Sequence, residues 1–321
     1  MQPARSVQPA TSSGSERPAA VAAGASSPAS PVAALVVSLR PRQWSKNLFV
    51  FAGLVFAQQL FTPAAVVALA AFAVFCGLSG AVYLFNDVAD RERDRGHPTK
   101  RHRPIAAGRL GAAAAVRVGI ALIVAALGAG FAINTLFGLA ALTYVALLLA
   151  YSAWLKHVVI VDVLVVAIGF TLRAVAGALA IDVEISGWLL ICTIQIALFL
   201  ALGKRRHEYI ALAAGAQLHR PILHEYSERL LDQMIAVVTA STVTAYALYT
   251  MSPETVAKFH THLLPATLPF VLYGVFRYLY LLYRKQLGGN PSDLFLSDRA
   301  LLVNTVLWVL TVLLILYGPR P

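Results

Sequence analysis

The sequence predicts an all-α, polytopic membrane protein with nine transmembrane helices. Of its 321 residues, 59% are hydrophobic and only 13% are charged, and the mean hydropathy is +0.71. Globular proteins carry about 25% charged residues, and a soluble chain of this length could not bury so much apolar surface. The apolar residues are also grouped into runs that are long enough to cross a bilayer.

Nine apolar runs approach the roughly 17–25 residues that a helix needs to cross the hydrocarbon core. They lie at 47–61, 64–86, 113–131, 134–152, 158–181, 186–203, 232–250, 265–284 and 300–317. The first run is short, so we expect a tilted helix that continues back through Leu39 and Trp44. Residues 1–31 are rich in Ala, Pro, Ser and Gly, which predicts a disordered tail before one membrane domain at 32–321.

The basic residues predict the orientation of the nine spans. Of the 26 Lys and Arg residues, only Lys258 and Arg320 fall in the loops on one side of the predicted bundle. Cytoplasmic loops are enriched in these residues, so the opposite side and the N-terminus are expected to be cytoplasmic. The net charge of +11 is therefore explained mostly by topology, and nucleic acid is not an expected partner.

Three aspartates at the end of the second span predict a site for a metal-bound diphosphate. Asp87, Asp90 and Asp94 follow Asn86 and would share one face of a continuing helix. Mg²⁺ prefers one or two carboxylates together with phosphate oxygens and water, and the Asn86 amide could add a ligand. The alternative is a solvated helix end, but ionisable groups beside a membrane core are expensive and usually functional.

A basic segment follows the aspartates in the same loop. Lys100, Arg101 and Arg103 have the chemistry that binds phosphate, and arginine can do so through two parallel hydrogen bonds. The ordinary positive charge of a cytoplasmic loop is the alternative explanation for these residues.

The motif Asn86-Asp87-x-x-Asp90-x-x-x-Asp94, placed between the second and third spans, resembles that of the UbiA-type intramembrane prenyltransferase superfamily. The resemblance covers about residues 35–318. The stretches 39–47, 97–105, 151–156 and 202–208 are similar to its decaprenyl-phosphate phosphoribosyltransferase branch. This resemblance implies Mg²⁺-dependent transfer of ribose 5-phosphate from 5-phosphoribosyl 1-diphosphate to a polyprenyl phosphate. It also implies a bacterial plasma membrane, an active site that faces the cytoplasm, and a role in making cell-wall arabinan.

One departure from the superfamily distinguishes between two enzyme classes. Aromatic prenyltransferases of this superfamily carry a second aspartate pair after the sixth span, whereas Lys204, Arg205, Arg206 and Glu208 stand here. This basic cluster fits a bare phosphate better than a second metal-bound diphosphate. Transfer from a polyprenyl diphosphate to an aromatic acceptor is the alternative function. A transporter or lipid-binding scaffold is the third, but internal repeats are not evident and the acids gather at one membrane face.

Further substrate-binding candidates lie at or inside other spans. They are Lys46 and Asn47 at the start of the first span, Tyr151 and Lys156 at the end of the fourth, and Asp162 and Arg173 in the fifth. Asp162 and Arg173 are three helical turns apart and need not pair, so a structural ion pair with another helix remains open for Arg173. Asp298 is expected to cap the ninth span. The sequence leaves the lipid length and the oligomeric state open, a homo-oligomer included.

Overall fold

The computed structural model describes residues 30–213, 221–289 and 291–318. The predicted disordered tail lies outside the described residues up to residue 29, and Ser30 already caps the first helix through its bond from the Ala33 amide. The α-helices are α1 (Pro31–Ser38), α2 (Ala52–Phe56), α3 (Ala64–Ala89), α4 (Arg91–Arg95), α5 (Ala112–Ile133), α6 (Thr135–Ala153), α7 (Val161–Ala180), α8 (Gly187–Ala213), α9 (Glu228–Met251), α10 (Pro253–Phe259), α11 (Leu268–Arg284), α12 (Pro291–Ser297) and α13 (Arg299–Tyr317). Short 3₁₀ helices span Pro41–Phe51, Lys100–His102, Leu155–His157, Pro221–Glu225 and Leu264–Thr267.

The prediction of an all-α membrane protein is confirmed. Eight helical segments in the described part of the chain are long and apolar enough to cross a membrane: α3, α5 to α9, α11 together with the 3₁₀ helix Leu264–Thr267 before it, and α13. They match eight of the nine predicted spans. Many of their large apolar side chains, such as Leu69, Val124 and Leu314, are exposed on the outside of the bundle, as lipid-facing residues should be.

The first predicted span, 47–61, differs in its local structure. Arg40 has a positive φ of 54° and Pro41 follows it, so the chain turns sharply after α1 and restarts as a 3₁₀ helix. This helix and α2 traverse the bundle, because Lys46 lies near α8 at one end and Gln58 donates to the Leu316 carbonyl at the other (2.6 Å). A 3₁₀ helix rises more per residue than an α-helix does, so fewer residues are needed to cross the bundle.

Two glycines allow the 3₁₀ helix and α2 to lie against α7. A Cβ added at Gly177 would come within 1.8 Å of the Val50 carbonyl oxygen, and one at Gly53 within 2.9 Å of the Ala178 Cα. Any larger residue at Gly177 would therefore push the two segments apart. This close contact fixes the depth at which Lys46 and Asn47 enter the bundle.

The bundle has two main apolar cores that share α7. One core lies between α3, α6 and α7 and includes Phe75, Phe137 and Tyr144. The other joins α7 to α8, α9, α11 and α13 and includes Phe199 and Tyr278. The polar loops and helix ends that carry the predicted site residues meet at one end of these cores, where α12 also approaches the Pro41–Phe51 helix.

Candidate active site

The centre of the site is formed by two buried aspartates that share an arginine. The exposed fractions of Asp87 and Asp94 are 2% and 3%. The Arg103 Nη1 atom lies 3.0 Å from Asp87 Oδ1 and 2.7 Å from Asp94 Oδ2. Arg40, from the turn before the 3₁₀ helix, also donates to Asp87 Oδ1. Two aspartates and two arginines therefore form a compact, nearly neutral cluster at the end of α3.

The predicted continuous helix through the aspartate motif is interrupted once. Helix α3 ends at Ala89, Asp90 adopts a non-helical conformation, and α4 then begins at Arg91. Backbone bonds across this step keep Asp87 and Asp94 on the same side, whereas Asp90 and Asn86 are only partly buried beside them. In the described part of the chain, no three acidic, His or Cys side chains converge closely enough to form a ready-made metal site.

The donor set nevertheless fits a magnesium ion that arrives with a phosphorylated ligand. Mg²⁺ uses one or two carboxylates and takes its other oxygens from phosphate and water. Asp87 and Asp94 supply two such carboxylates, already held close by one shared guanidinium. Arg40 and Arg103 are positioned to bind the phosphate oxygens of the same ligand.

A second group of cations lies deeper, between α3, α6 and α7. Arg173 donates through Nε to Asn47 Oδ1 (2.8 Å), through Nη1 to the Gly169 carbonyl (2.8 Å), and through Nη2 to the Tyr144 hydroxyl. Asn47 in turn donates to Ser79 Oγ at 3.2 Å. The amide of Asn47 thus holds the arginine in place from the crossing 3₁₀ helix.

The charge of Arg173 is not balanced by a carboxylate among the described residues. Its exposed fraction is 6%, and its partners are all neutral, including the faces of Tyr144 and Phe170. Lys46 is partly buried nearby, where its charge interacts with those of Arg173, Arg40 and Lys204 and with that of the acid Asp293. Buried cations are costly without an anion, so this arrangement indicates a place for an anionic ligand.

The basic cluster after the sixth span lies on a helix and not in the predicted loop. Helix α8 continues to Ala213, supported by the pairs of Glu208 with Arg205 and with Lys204, the latter at 3.7 Å. Such pairs, three and four residues apart, stabilise helices, and these residue types have good helix propensity. The expected phosphate-binding loop is therefore helical as far as Ala213.

Arg205 forms a closed ion pair with Asp162. Its Nε atom lies 2.7 Å from Asp162 Oδ2, and the exposed fractions of the two side chains are 4% and 0%. Tyr226 donates to Asp162 Oδ1 (2.6 Å) and accepts from the Ile160 amide (2.8 Å). Burial and the bond to the Asp162 carboxylate raise the pKa of the Tyr226 hydroxyl. Asp162 therefore pairs with a residue of another helix and not with Arg173, so its predicted contact with substrate is replaced by a structural ion pair.

Arg206 is also occupied by carboxylates. It contacts Glu228 at 2.7 Å and Asp232 at 2.6 Å, both on α9, and lies over the Tyr283 ring. These contacts join α8 to α9 and α11. Arg205 and Arg206 are both paired with carboxylates, so neither has the unbalanced charge that a phosphate site requires. We therefore interpret them as structural residues and not as the phosphate ligands that the sequence predicted.

The remaining predicted residues border the same end of the bundle. Lys100, Tyr151 and Lys156 are partly buried, and Arg101 is exposed. Asp298 accepts from the Leu301 amide at 2.8 Å and so caps α13, as predicted. Arg277 pairs with it at 2.7 Å and holds the pKa of Asp298 below its usual range.

Similarity to known proteins agrees with this geometry. A profile of the UbiA prenyltransferase family matches residues 47–298. The chain belongs to this family. A decaprenyl-phosphate phosphoribosyltransferase of Corynebacterium glutamicum is 34% identical over 295 residues, which cover 88% of this chain and 86% of that protein. A protein of the same name from Mycobacterium tuberculosis is 33% identical over 293 residues, which cover 89% and 95% of the two chains.

Solved structures show the same fold. A UbiA homologue from Archaeoglobus fulgidus bound to GPP and Mg²⁺ has a TM-score of 0.67 at 20% identity, covering 88% of this chain and 99% of that one. A digeranylgeranylglyceryl phosphate synthase has a TM-score of 0.60 at 15% identity, covering 89% and 95%. The predicted UbiA-like bundle and the phosphoribosyltransferase branch are confirmed. The chain is an integral membrane enzyme of the transferase class.

Sequence reasoning missed two contacts at this end of the bundle, those of Arg40 and Tyr226. Arg40 lies in the stretch 39–47 that carried the resemblance, but its position against Asp87 depends on the sharp turn at Pro41. Tyr226 reaches Asp162 across 64 residues of sequence, and no local pattern around it signals that contact.

Proposed function

We propose that the enzyme transfers ribose 5-phosphate from 5-phosphoribosyl 1-diphosphate to a polyprenyl phosphate, such as decaprenyl phosphate, and releases diphosphate. The observation that supports this most is the pairing of two phosphate-type sites. Asp87 and Asp94 with their arginines form one, and Lys46 forms the other with Arg173, which has no carboxylate partner in the described part of the chain. The names of the relatives support transfer of a phosphoribosyl group to decaprenyl phosphate. A role in making cell-wall arabinan precursors belongs to the same proposal and rests on the family resemblance.

The reaction breaks the bond between the anomeric carbon and the diphosphate oxygen. An oxygen of the acceptor phosphate forms the new bond to that carbon, and the diphosphate leaves with the electron pair. A phosphate monoester has a second pKa near ~6, so the acceptor is already an anionic nucleophile at neutral pH. The site therefore needs no general base, and its main task is to hold two polyanions side by side.

The residues that would hold Mg²⁺ are Asp87 and Asp94, with Asp90 beside them. When bound, the ion would neutralise the charge that develops on the leaving diphosphate. Arg40 and Arg103 would donate to the same phosphate oxygens, and the partly buried Asn86 borders this position. Lys100 and Arg101 lie on the loop that carries Arg103 and would extend the positive surface toward the cytoplasm.

The second phosphate-type site would bind a phosphate monoester. Arg173 uses three of its five N–H donors on Asn47, Gly169 and Tyr144, which leaves two for a ligand. Lys46 and the half-exposed Lys204 add charge from the neighbouring segments. Arg205, Glu208 and Asp162 would act indirectly, by fixing the helix end that carries Lys204, while Tyr151 and Lys156 border this end of the bundle.

The enzyme would face the cytoplasm in the bacterial plasma membrane, as one transferase domain at 32–321. This orientation follows from the distribution of Lys and Arg and puts the C-terminus outside. A reporter fused after Pro321 should be active only on the outer side, and activity in the cytoplasm would contradict the nine-crossing topology.

The alternative is prenyl transfer from a polyprenyl diphosphate to an aromatic acceptor. Purified enzyme should be given radiolabelled 5-phosphoribosyl 1-diphosphate with polyprenyl phosphate, and in parallel a polyprenyl diphosphate with an aromatic acid. We expect a labelled phosphoribosyl lipid that forms only with a divalent metal. A prenylated aromatic product, with no use of the phosphoribosyl donor, would show that the alternative is correct.

A further inference from the structure

The arginines on the two central aspartates differ from the aspartates in exposure. The carboxylates of Asp87 and Asp94 are fixed on α3 and α4, with side-chain exposures of 2% and 5%, whereas Arg40 and Arg103 have side-chain exposures of 29% and 28%. The arginines therefore reach into the site from its open side. Their long side chains can turn outward without any change in the helices that carry the aspartates.

A single atom of Arg103 lies between the two carboxylates. Nη1 contacts both Asp87 Oδ1 and Asp94 Oδ2, and Asp87 Oδ1 also accepts from Arg40. A cation that bridged the two carboxylates would need the same oxygen atoms. A divalent metal and these guanidinium groups must therefore compete for Asp87 and Asp94.

We propose that Arg103 and Arg40 occupy the metal's carboxylates until a diphosphate arrives, and that they thereby make metal and diphosphate bind together. A bare divalent ion would add two positive charges beside two arginines that lose their carboxylate partners. With a diphosphate present, the displaced guanidinium groups find new anionic acceptors, so the same exchange becomes favourable. This inference rests on the proposed function only in taking a metal and a diphosphate as ligands of this site.

The exchange has a consequence for specificity. A ligand with one phosphate and no metal would leave Arg103 on its aspartates, and a free metal ion would be excluded by the same contact. The site would accept the diphosphate end of a donor together with its metal, and it would discriminate against phosphate monoesters. Arg103 would thus contact the diphosphate itself, and its charge would couple the binding of the two ligands.

Coupling can be measured without turnover. Mn²⁺ binding to purified enzyme is titrated alone and with saturating inorganic diphosphate, with correction for the complex that the two form in solution. In the wild type, diphosphate should tighten Mn²⁺ binding at least about tenfold, the equivalent of one charge-assisted hydrogen bond. In Arg103→Gln, Mn²⁺ alone should bind about tenfold more tightly, and the effect of diphosphate should shrink.

A matched control separates this contact from the general loss of charge. Arg93 is exposed on α4, next to Asp94 in sequence, and forms no ion pair in the described part of the chain. Arg93→Gln should therefore keep the wild-type coupling. Arg40→Gln should reproduce the effect of Arg103→Gln, and it serves as the second variant if Arg103→Gln lowers the melting temperature too far for binding studies.

Two kinds of failure are distinguishable. If wild type shows coupling but Arg103→Gln and Arg40→Gln bind bare Mn²⁺ no better than Arg93→Gln, the arginines do not compete with the metal and the proposed exchange is wrong. The proposed metal site at Asp87 and Asp94 is not contradicted by that result. If Asp87→Asn binds Mn²⁺ with diphosphate as wild type does, the ligands are held elsewhere and the proposed metal site itself is wrong.

Discussion

Two of the aspartate–arginine clusters in this enzyme use the same chemical groups in different ways. At the end of α3, Asp87 and Asp94 are buried while their arginines stay partly exposed and share carboxylate oxygens. At the start of α7, Asp162 and Arg205 are both buried, and Tyr226 occupies the remaining carboxylate oxygen. The first cluster can exchange a partner for a ligand, whereas the second has no open side.

The surroundings of the second cluster point to a structural role. Ile160, a β-branched residue, has a positive φ of 69°, which is a strained conformation for this residue type. The Tyr226 hydroxyl binds its amide and the Asp162 carboxylate at once, and so ties residues 221–227 to the start of α7. Charge type alone therefore does not identify a ligand site, and the exposure of each partner has to be known.

The largest expected effect is on turnover at the first cluster. Asp87→Asn keeps the shape of the side chain and removes the charge that would hold the metal. We expect turnover to fall about a hundredfold or more, as for loss of a key electrostatic group, with the melting temperature close to wild type. Turnover that stays near wild type in both Asp87→Asn and Asp94→Asn would show that this cluster has only a structural role.

A substitution in the second cluster should lower the stability of the protein and leave substrate binding nearly unchanged. Asp162→Asn leaves the buried Arg205 with one carboxylate fewer, and breaking a buried pair costs about 3 kcal/mol or more. We expect a lower melting temperature in detergent and little change in the KM of either substrate for the folded fraction. A variant with normal melting and a raised KM would instead place Asp162 in the substrate site.

An intermediate effect is expected at Arg173. Arg173→Met keeps the length of the side chain and removes the cation, so one phosphate substrate should lose a charge-assisted bond. Its KM should rise roughly ten- to a hundredfold. A donor without the 5-phosphate separates the two substrates. If its KM is the same in wild type and in Arg173→Met, Arg173 contacts the 5-phosphate. Unchanged KM values for both donor and acceptor would make Arg173 purely structural.

The smallest effect is expected at Lys204, the half-exposed member of the α8 cluster. Lys204→Gln should raise the donor KM only a few-fold, because surface charges contribute little in water. Arg206→Gln should instead lower the melting temperature, since its guanidinium joins α8 to α9. A normal melting temperature and a raised donor KM in Arg206→Gln would instead support the predicted phosphate-binding role of Arg206.

The sequence was sufficient for those features that depend on local pattern. Apolar runs and the distribution of Lys and Arg predicted the helices and the end at which the site lies. The i, i+3, i+7 spacing placed Asp87 and Asp94 on one side. The Asp298 cap was also predictable, since it depends only on a residue three positions ahead.

Features that depend on distant contacts were not predictable in this way. The first crossing becomes a 3₁₀ helix and α2 because it lies against Gly177, which is more than 120 residues away in sequence. Arg205 and Arg206 form ion pairs with acids of α7 and α9, which are distant in sequence. The sequence alone therefore wrongly suggested that both arginines were available to bind a phosphate. Arg40 reaches Asp87 only through the turn that precedes this crossing.

The central claim is that the first cluster holds the donor's diphosphate with a divalent metal. Its most direct test is equilibrium binding of labelled 5-phosphoribosyl 1-diphosphate to purified enzyme, in Mg²⁺ and in EDTA. We predict that wild type binds the donor at least about tenfold more tightly with Mg²⁺, and that Asp87→Asn loses this difference. Equal binding by wild type in Mg²⁺ and EDTA, or an undiminished Mg²⁺ effect in Asp87→Asn, would contradict the claim.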